Sequence, residues 1–287
     1  MSSSLTQWIA ENPPQPLPRT LVQLRHALDD FTPDLMAVAG LVESDGALTG
    51  MVLQASSSSG VRQGVVQLGL TALEGLLEDL FLEVPMVNPY SPLYPLAAQA
   101  HHRGLCMACC AELVGRLGRV PARQRISGEL AHCAGLLQGI GRITLLGHHA
   151  EYRMQLKRHG EWTPAQWLAY EQESFGFQQQ QVGAALCRHW GLPEAVVAVV
   201  ANPDGGLSLL KAGRSVAFRQ GVVMQAMVGL VTAALAGPST LEQVLPYLAV
   251  LGVAERDWPT LLAALQQVPA PAWHDRLGEG ESDHESA

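Results

Sequence analysis

The sequence predicts an all-α protein, a two-lobed helical bundle, and three observations carry that reading. Apolar residues recur at spacings of three and four along most of the chain. No run of alternating β-branched residues bounded by hairpin turns occurs. Glycine, proline and polar turns end the periodic segments, which marks short helices in quick succession. The 287 residues exceed what one small core usually holds, and 48% hydrophobic against 15% charged residues argues against a disordered chain.

Residues 1–16 read as an N-terminal extension. Leu17, Leu21, Leu24 and Leu28 then lay four leucines on one helical face. Thr32-Pro33-Asp34 restarts a helix, with Thr32 as N-cap and Pro33 at the first helical position. Leu35, Val38 and Leu41 or Val42 form its buried face. Ser44-Asp45-Gly46 is a break before a short helix over 47–55, with Leu48, Met51 and Val52 inward. After the turn at 56–60, helical spacing resumes over 61–68 and 71–82. Pro85, Pro89, Pro92 and Pro95 cannot lie in one continuous helix, because each ring removes an amide donor and restricts its predecessor. They end a first lobe, 17–90. A second bundle, 91–236, is expected to hold helices near 93–117, 124–146, 149–159, 164–173, 177–190 and 193–201, with a long apolar helix or a pair of them over 207–236. C-terminal helices follow within 237–272, near 240–251 and 259–268. Residues 273–287 form an acidic tail expected to be disordered. No helical repeat of fixed period is present.

Charge and composition narrow the functional classes. The tail holds Asp275, Glu279, Glu281, Asp283 and Glu285 against Arg276, half of the net charge of −8. The 18 lysines and arginines form no basic cluster, so nucleic acid is not an expected partner. The most apolar stretch, Gly221–Gly237, is interrupted by Gln225 and falls short of a membrane span. No cationic segment precedes an apolar one at the N-terminus, so the cytoplasm is the expected compartment. Five cysteines make an odd count, read as reduced thiols.

Candidate chemistry is sparse. Cys106, Cys109 and Cys110 share a helical face and Cys133 lies on the next helix, a possible soft-metal set. Their apolar surroundings favour packed thiols, with zinc as the alternative. His101-His102 and His148-His149 are adjacent pairs. Neighbours on a helix point about 100° apart, so one of each pair at most could face an ion. His148 and His149 read as surface or helix-terminal residues. Gln178–Gln181 is one turn of helix rather than low complexity. Phosphate-binding glycine loops and nucleophile elbows are absent, so no cofactor is expected.

Three segments are more specific. They are Leu136-Leu137-Gln138-Gly139-Ile140-Gly141-Arg142, then Glu171 through Phe175-Gly176-Phe177-Gln178 to Val182-Gly183-Ala184, and His189-Trp190-Gly191-Leu192-Pro193-Glu194. Together they resemble the HDOD domain, the HD-related output domain of bacterial signalling proteins. In the first lobe, Leu17-Pro18, Leu41 to Thr49 and Val66-Gln67-Leu68-Gly69 fit the same pattern, so the resemblance spans roughly 17–236. The resemblance implies an HD-like helical fold. The parent HD superfamily hydrolyses phosphate esters with metal ions held by a histidine, an adjacent His-Asp pair and a later aspartate. By that likeness the pair is replaced here by Gln138 and Gly139, the Asp-His of many relatives by Gln178 and Gln179, and the later paired histidines by Asn202-Pro203. The first histidine falls at His102 or Arg103. The literal His274-Asp275 dipeptide lies in the tail and reads as coincidence. Gly141, Gly176 and Gly183 remain at turns and helix contacts, and Trp190 as a core anchor.

The resemblance thus implies a non-catalytic signalling module without metal, acting through partner proteins. The alternative is a divergent metal-dependent phosphohydrolase. A crevice between the lobes is the expected pocket, lined by His102, Arg103, Gln138, Arg142 and Gln179, with a small anionic ligand or nucleotide as its occupant.

Overall fold

The computed structural model describes residues 2–83, 93–202, 216–237 and 241–270. They are helical, with no strand among them. The proline-rich boundary from Pro85 to Pro92, residues 203–215 and the tail with His274-Asp275 lie outside the described residues.

The first lobe begins with α2 (Pro18–Leu28), which buries Leu21, Leu24 and Leu28 along with the preceding Leu17. Those four leucines fall where the spacing placed them. Asp34, not Thr32, caps α3 (Leu35–Glu43), its carboxylate accepting from the Met36 amide at 2.8 Å. The proline fixes the approach and the helix starts two residues later than the sequence predicts. Val38, Ala39 and Val42 form the buried face of α3. Asp45 then caps α4 (Gly46–Ser56), accepting from Ala47 N at 2.9 Å and Leu48 N at 3.1 Å. Its second oxygen takes Leu17 N at 2.7 Å, which pins the entry of α2 to the start of α4. A long helix, α5 (Val61–Glu83), is broken at Gly69, where φ 73 and ψ 174 are open to glycine alone. The two helical segments expected over 61–68 and 71–82 thus meet at a kink at Gly69.

The second lobe is built on α6 (Leu93–Leu117), packed along α7 (Gly128–Leu137). A single helix over 124–146 was expected. Instead a short 3-10 turn (Ala122–Gln124) precedes α7, and the chain breaks at Gln138-Gly139 before α8 (Ile140–His148). Three helices follow: α9 (Ala150–Arg158), α10 (Pro164–Phe175) and α11 (Gln179–His189). Then come α12 (Glu194–Ala201) and α13 (Val216–Leu235). Finally α14 (Leu241–Leu251) packs on α13, and α15 (Trp258–Gln266) on α13 and α6.

Close backbone approach explains two of the retained glycines. A Cβ on Gly141 of α8 would lie 1.9 Å from the Gln179 carbonyl oxygen, and one on Gly183 of α11 would lie 2.8 Å from Val200. Only hydrogen at these positions lets α8, α11 and α12 meet. The lobes are joined the same way. A Cβ on Gly50 of α4 would sit 2.4 Å from the Trp190 indole, and Trp190 itself is 5% exposed. The indole thus fills the hollow that glycine leaves and anchors one lobe on the other.

Residues 1–16 are not a plain extension. They contain α1 (Ser2–Glu11), which packs on α11 with Ile9 buried. No single helix among the described residues is long and apolar enough to cross a membrane.

Candidate functional site

A cavity of about 350 Å³ opens between α6, the α7–α8 break, α8, α10 and the start of α11. All its described lining residues belong to the second lobe. The expected crevice between the lobes is therefore corrected: the lobe joint is filled by Trp190 against α4, and the space lies inside the HD-like lobe.

The break between α7 and α8 makes the site. Gln138 and Gly139 both line the cavity there, and Gln138 remains 9% exposed. Arg103, from α6, donates through Nη1 to Gln138 Oε1 at 2.9 Å. Arg142 stands in the first turn of α8, its guanidinium 4.9 Å from the centre of the Trp167 ring, a cation–π contact. Gln179 and Gln180 enter from the first turn of α11, while Trp162 and Trp167 form an indole wall in edge contact at 5.1 Å. Four of the five expected residues, Arg103, Gln138, Arg142 and Gln179, meet in one cavity.

His102 does not join them. Its Nε2 lies 3.1 Å from the Val268 carbonyl oxygen, toward the C-terminal helices. The helical turn accounts for this, since Arg103 faces the cavity and the preceding side chain must point about 100° away. Elsewhere, His101 Nδ1 lies 3.3 Å from the Glu43 carbonyl oxygen, and its ring meets His132 edge-on at 5.8 Å. Burial holds the His132 imidazole down at about 4, helped by the charge of neighbouring His101. His148 and His149 have a docking role the sequence did not reveal. His148 Nε2 lies 2.8 Å from the Pro13 carbonyl oxygen, and the His149 ring stacks on Trp8 of α1 at 5.6 Å.

Behind the cavity wall lies a buried acid. Glu171 on α10 is 0% exposed, accepts the Tyr152 hydroxyl at 2.5 Å and takes the Gln179 amide at 2.8 Å. Burial raises its carboxyl, while Tyr152, the Gln179 amide and the Arg142 charge draw it back. Burial likewise pushes the Tyr152 phenol up, with the Glu171 charge adding to the shift. In the sequence Glu171 was named only as the start of a family-like segment, with no role, and Tyr152 was not named. A signal existed, because six of the sixteen aromatic residues (Tyr152, Trp162, Trp167, Tyr170, Phe175 and Phe177) fall within 26 positions.

The described lining contains no Asp, Glu, His or Cys. Hard divalent ions take carboxylate and imidazole ligands, so two guanidiniums with neutral carboxamides do not fit the metal that an HD-type reaction centre needs. Cys106, Cys110 and Cys133 are buried, and burial pushes their thiols up, Cys106 to about 11 and Cys133 to about 12. They form no disulfide. No group of three or more metal-ligating side chains is present among the described residues.

The sequence pattern of the HDOD domain matches residues 15–204, and the chain belongs to that family. The match ends before residue 236, to which the resemblance in the sequence had been drawn. Among solved structures, the MmoQ response regulator from Methylococcus capsulatus str. Bath is similar with a TM-score of 0.64 and 18% identity, covering 88% of this chain and 98% of its own. A virulence factor from Campylobacter jejuni is similar with a TM-score of 0.58 and 16% identity, covering 98% of this chain and 100% of its own. At these identities the likeness concerns the fold. No curated protein sequence gives a significant match.

Proposed function

We propose that this chain is a non-catalytic regulatory HDOD module that works through helix packing and contacts with partner proteins, its cavity holding a small ligand without turning it over. The observation that carries this reading is the cavity's donor set. Arg103 and Arg142 bring two guanidiniums to the cavity, and Gln138, Gln179 and Gln180 add only neutral groups. A neutral carboxamide supplies no charge to offset a metal, and Gly139 supplies no side chain at all. Hydrolysis of a phosphate ester in this superfamily depends on a metal that lowers the pKa of its bound water, and this lining gives that ion no charged ligand.

The test is metal analysis of protein purified with iron, manganese or zinc in the medium, paired with assays of nucleotide and cyclic dinucleotide turnover. The expected result is sub-stoichiometric metal that a chelator strips without loss of melting temperature, and no turnover. Stoichiometric metal that resists chelation, together with turnover, overturns the proposal in favour of a divergent phosphohydrolase. A large fall in Tm on chelation, with no turnover, points instead to zinc held by the clustered cysteines.

A further inference from the structure

We propose that α1 is an autoinhibitory helix. It fills a docking groove of the second lobe that, once α1 has left, takes a partner's amphipathic helix carrying aliphatic residues at i and i+4 and tryptophan at i+3. The inference goes beyond the cavity and stands whether or not the cavity is catalytic.

α1 is an addition to the domain on which it sits. The HDOD pattern begins at residue 15, so α1 (Ser2–Glu11) lies outside it, yet α1 packs on α11 within it. The chain then passes through the non-helical Asn12-Pro13-Pro14-Gln15-Pro16 to α2 of the first lobe. A helix on a short tether is thus set against the second lobe, while the element that follows it belongs to the first.

Little holds that helix in place. Among its described side chains only Ile9 is buried, with Leu5 and Trp8 half-buried. Thr6, Gln7, Ala10 and Glu11 are exposed, and Gln7 Nε2 donates to Glu11 Oε1 along the outer face. A helix of ten residues is marginal in water by itself, so α1 keeps its shape only while its inward residues are docked. An element with so few buried contacts opens at far less cost than the whole fold.

The seat, by contrast, is built by the domain. The Trp8 indole stacks on His149 at 5.6 Å with 6° between the planes, meets Phe177 at 5.1 Å and takes His148 edge-on at 6.2 Å. His149 packs in turn on Phe175 at 4.4 Å, and Phe175 stacks on Phe177, so these rings are positioned by one another and not by α1 alone. His148 Nε2 adds a polar contact to the Pro13 carbonyl oxygen at 2.8 Å. An aromatic pocket around one tryptophan, beside the seats of two aliphatic residues one helical turn apart, is the arrangement of helix-in-groove recognition. A partner's helix with that spacing presents the same groups and has to outcompete only a tether worth an effective concentration of about millimolar.

The experiment uses the full chain carrying Trp8→Ala and Ile9→Asp, which empties the groove. It is titrated with a fluorescein-labelled peptide of residues 2–17, followed by anisotropy. The variant is expected to keep the circular dichroism and cooperative unfolding of the native chain. It is expected to bind the peptide saturably, at least about tenfold more tightly than the native chain, whose own α1 competes. A designed helical peptide with Leu, Trp and Ile at the same spacing on an otherwise unrelated polar background is expected to bind within about tenfold of it, and a scrambled version not to saturate. His149→Ala, added to the variant, should weaken the peptide at least about tenfold. Should the variant fail to fold, hydrogen exchange on the native chain decides, with the hydrogen-bonded amides of α1 expected to exchange at least about a hundredfold faster than those of α11. Equal protection of α1 and α11 overturns the proposal, as does a folded variant that binds no peptide. A designed peptide that fails where residues 2–17 bind, or a scrambled one that binds equally, overturns it as well.

Discussion

Two acids are buried among the described residues, one in each lobe, and they serve different ends. Asp45 in the first lobe is met by three backbone amides, those of Leu17, Ala47 and Leu48. It fixes chain geometry, tying the start of α2 to the start of α4. Glu171 in the second lobe is met by one backbone amide and one side chain, those of Gln179 and Tyr152, and it faces Arg142. It also holds a helix start, that of α11, but couples that start to the charge of the cavity. The first lobe spends its buried carboxylate on architecture, and the second spends its own on a site.

The largest expected effect is on the architectural acid. Asp45→Ala removes a helix cap and leaves the Leu17 amide without its acceptor, at a cost of about 3 kcal/mol in urea unfolding. A loss under about 1 kcal/mol would mean that the apolar packing of α2 and α4 holds the lobe without it.

Next comes a pH effect that separates the two acids. Burial pushes the Asp45 carboxyl up to about 6 from its ordinary 3.8, against three amides that draw it down. Between those values the native state keeps the proton that the unfolded chain has released. Stability should therefore fall as pH rises from about 4 to about 6, by up to about 3 kcal/mol, and be flat above. Unfolding midpoints across that window check it, and Asp45→Asn should remove most of the slope. A slope unchanged in that variant would assign it elsewhere, with Glu171, raised in the same direction, as the first candidate.

Smaller effects belong to the site. Tyr152→Phe leaves Glu171 Oε1 without its donor and should cost about 1–2 kcal/mol by thermal unfolding. Glu171→Gln keeps acceptor oxygen for the Gln179 amide and should cost about 1 kcal/mol or less.

The sequence made the first lobe legible because its signals are local. Leucine spacing placed Leu17, Leu21, Leu24 and Leu28, and the Ser44-Asp45-Gly46 break fell where α4 begins. In the second lobe Gly141 and Gly183 were legible as contact points, and four of the cavity residues as neighbours, through the family pattern around Gln138. What was missed depends on long-range geometry. The break at 139 was not read from the sequence, since Gly139 lies inside a segment whose apolar residues keep helical spacing and its φ of −94 is open to any residue. His102 and Arg103 are adjacent in sequence, and only the packing of α6 on its neighbours decides which of them faces the cavity. The docking of α1 through Trp8 joins residues about 140 positions apart, which no local pattern encodes.

The central claim is that the second-lobe cavity is no seat for a catalytic metal. Anomalous diffraction from crystals grown with manganese measures it most directly. The account predicts no anomalous peak beside Gln138, Arg142 and Gln179. An ordered manganese ion within coordination distance of those side chains would contradict it.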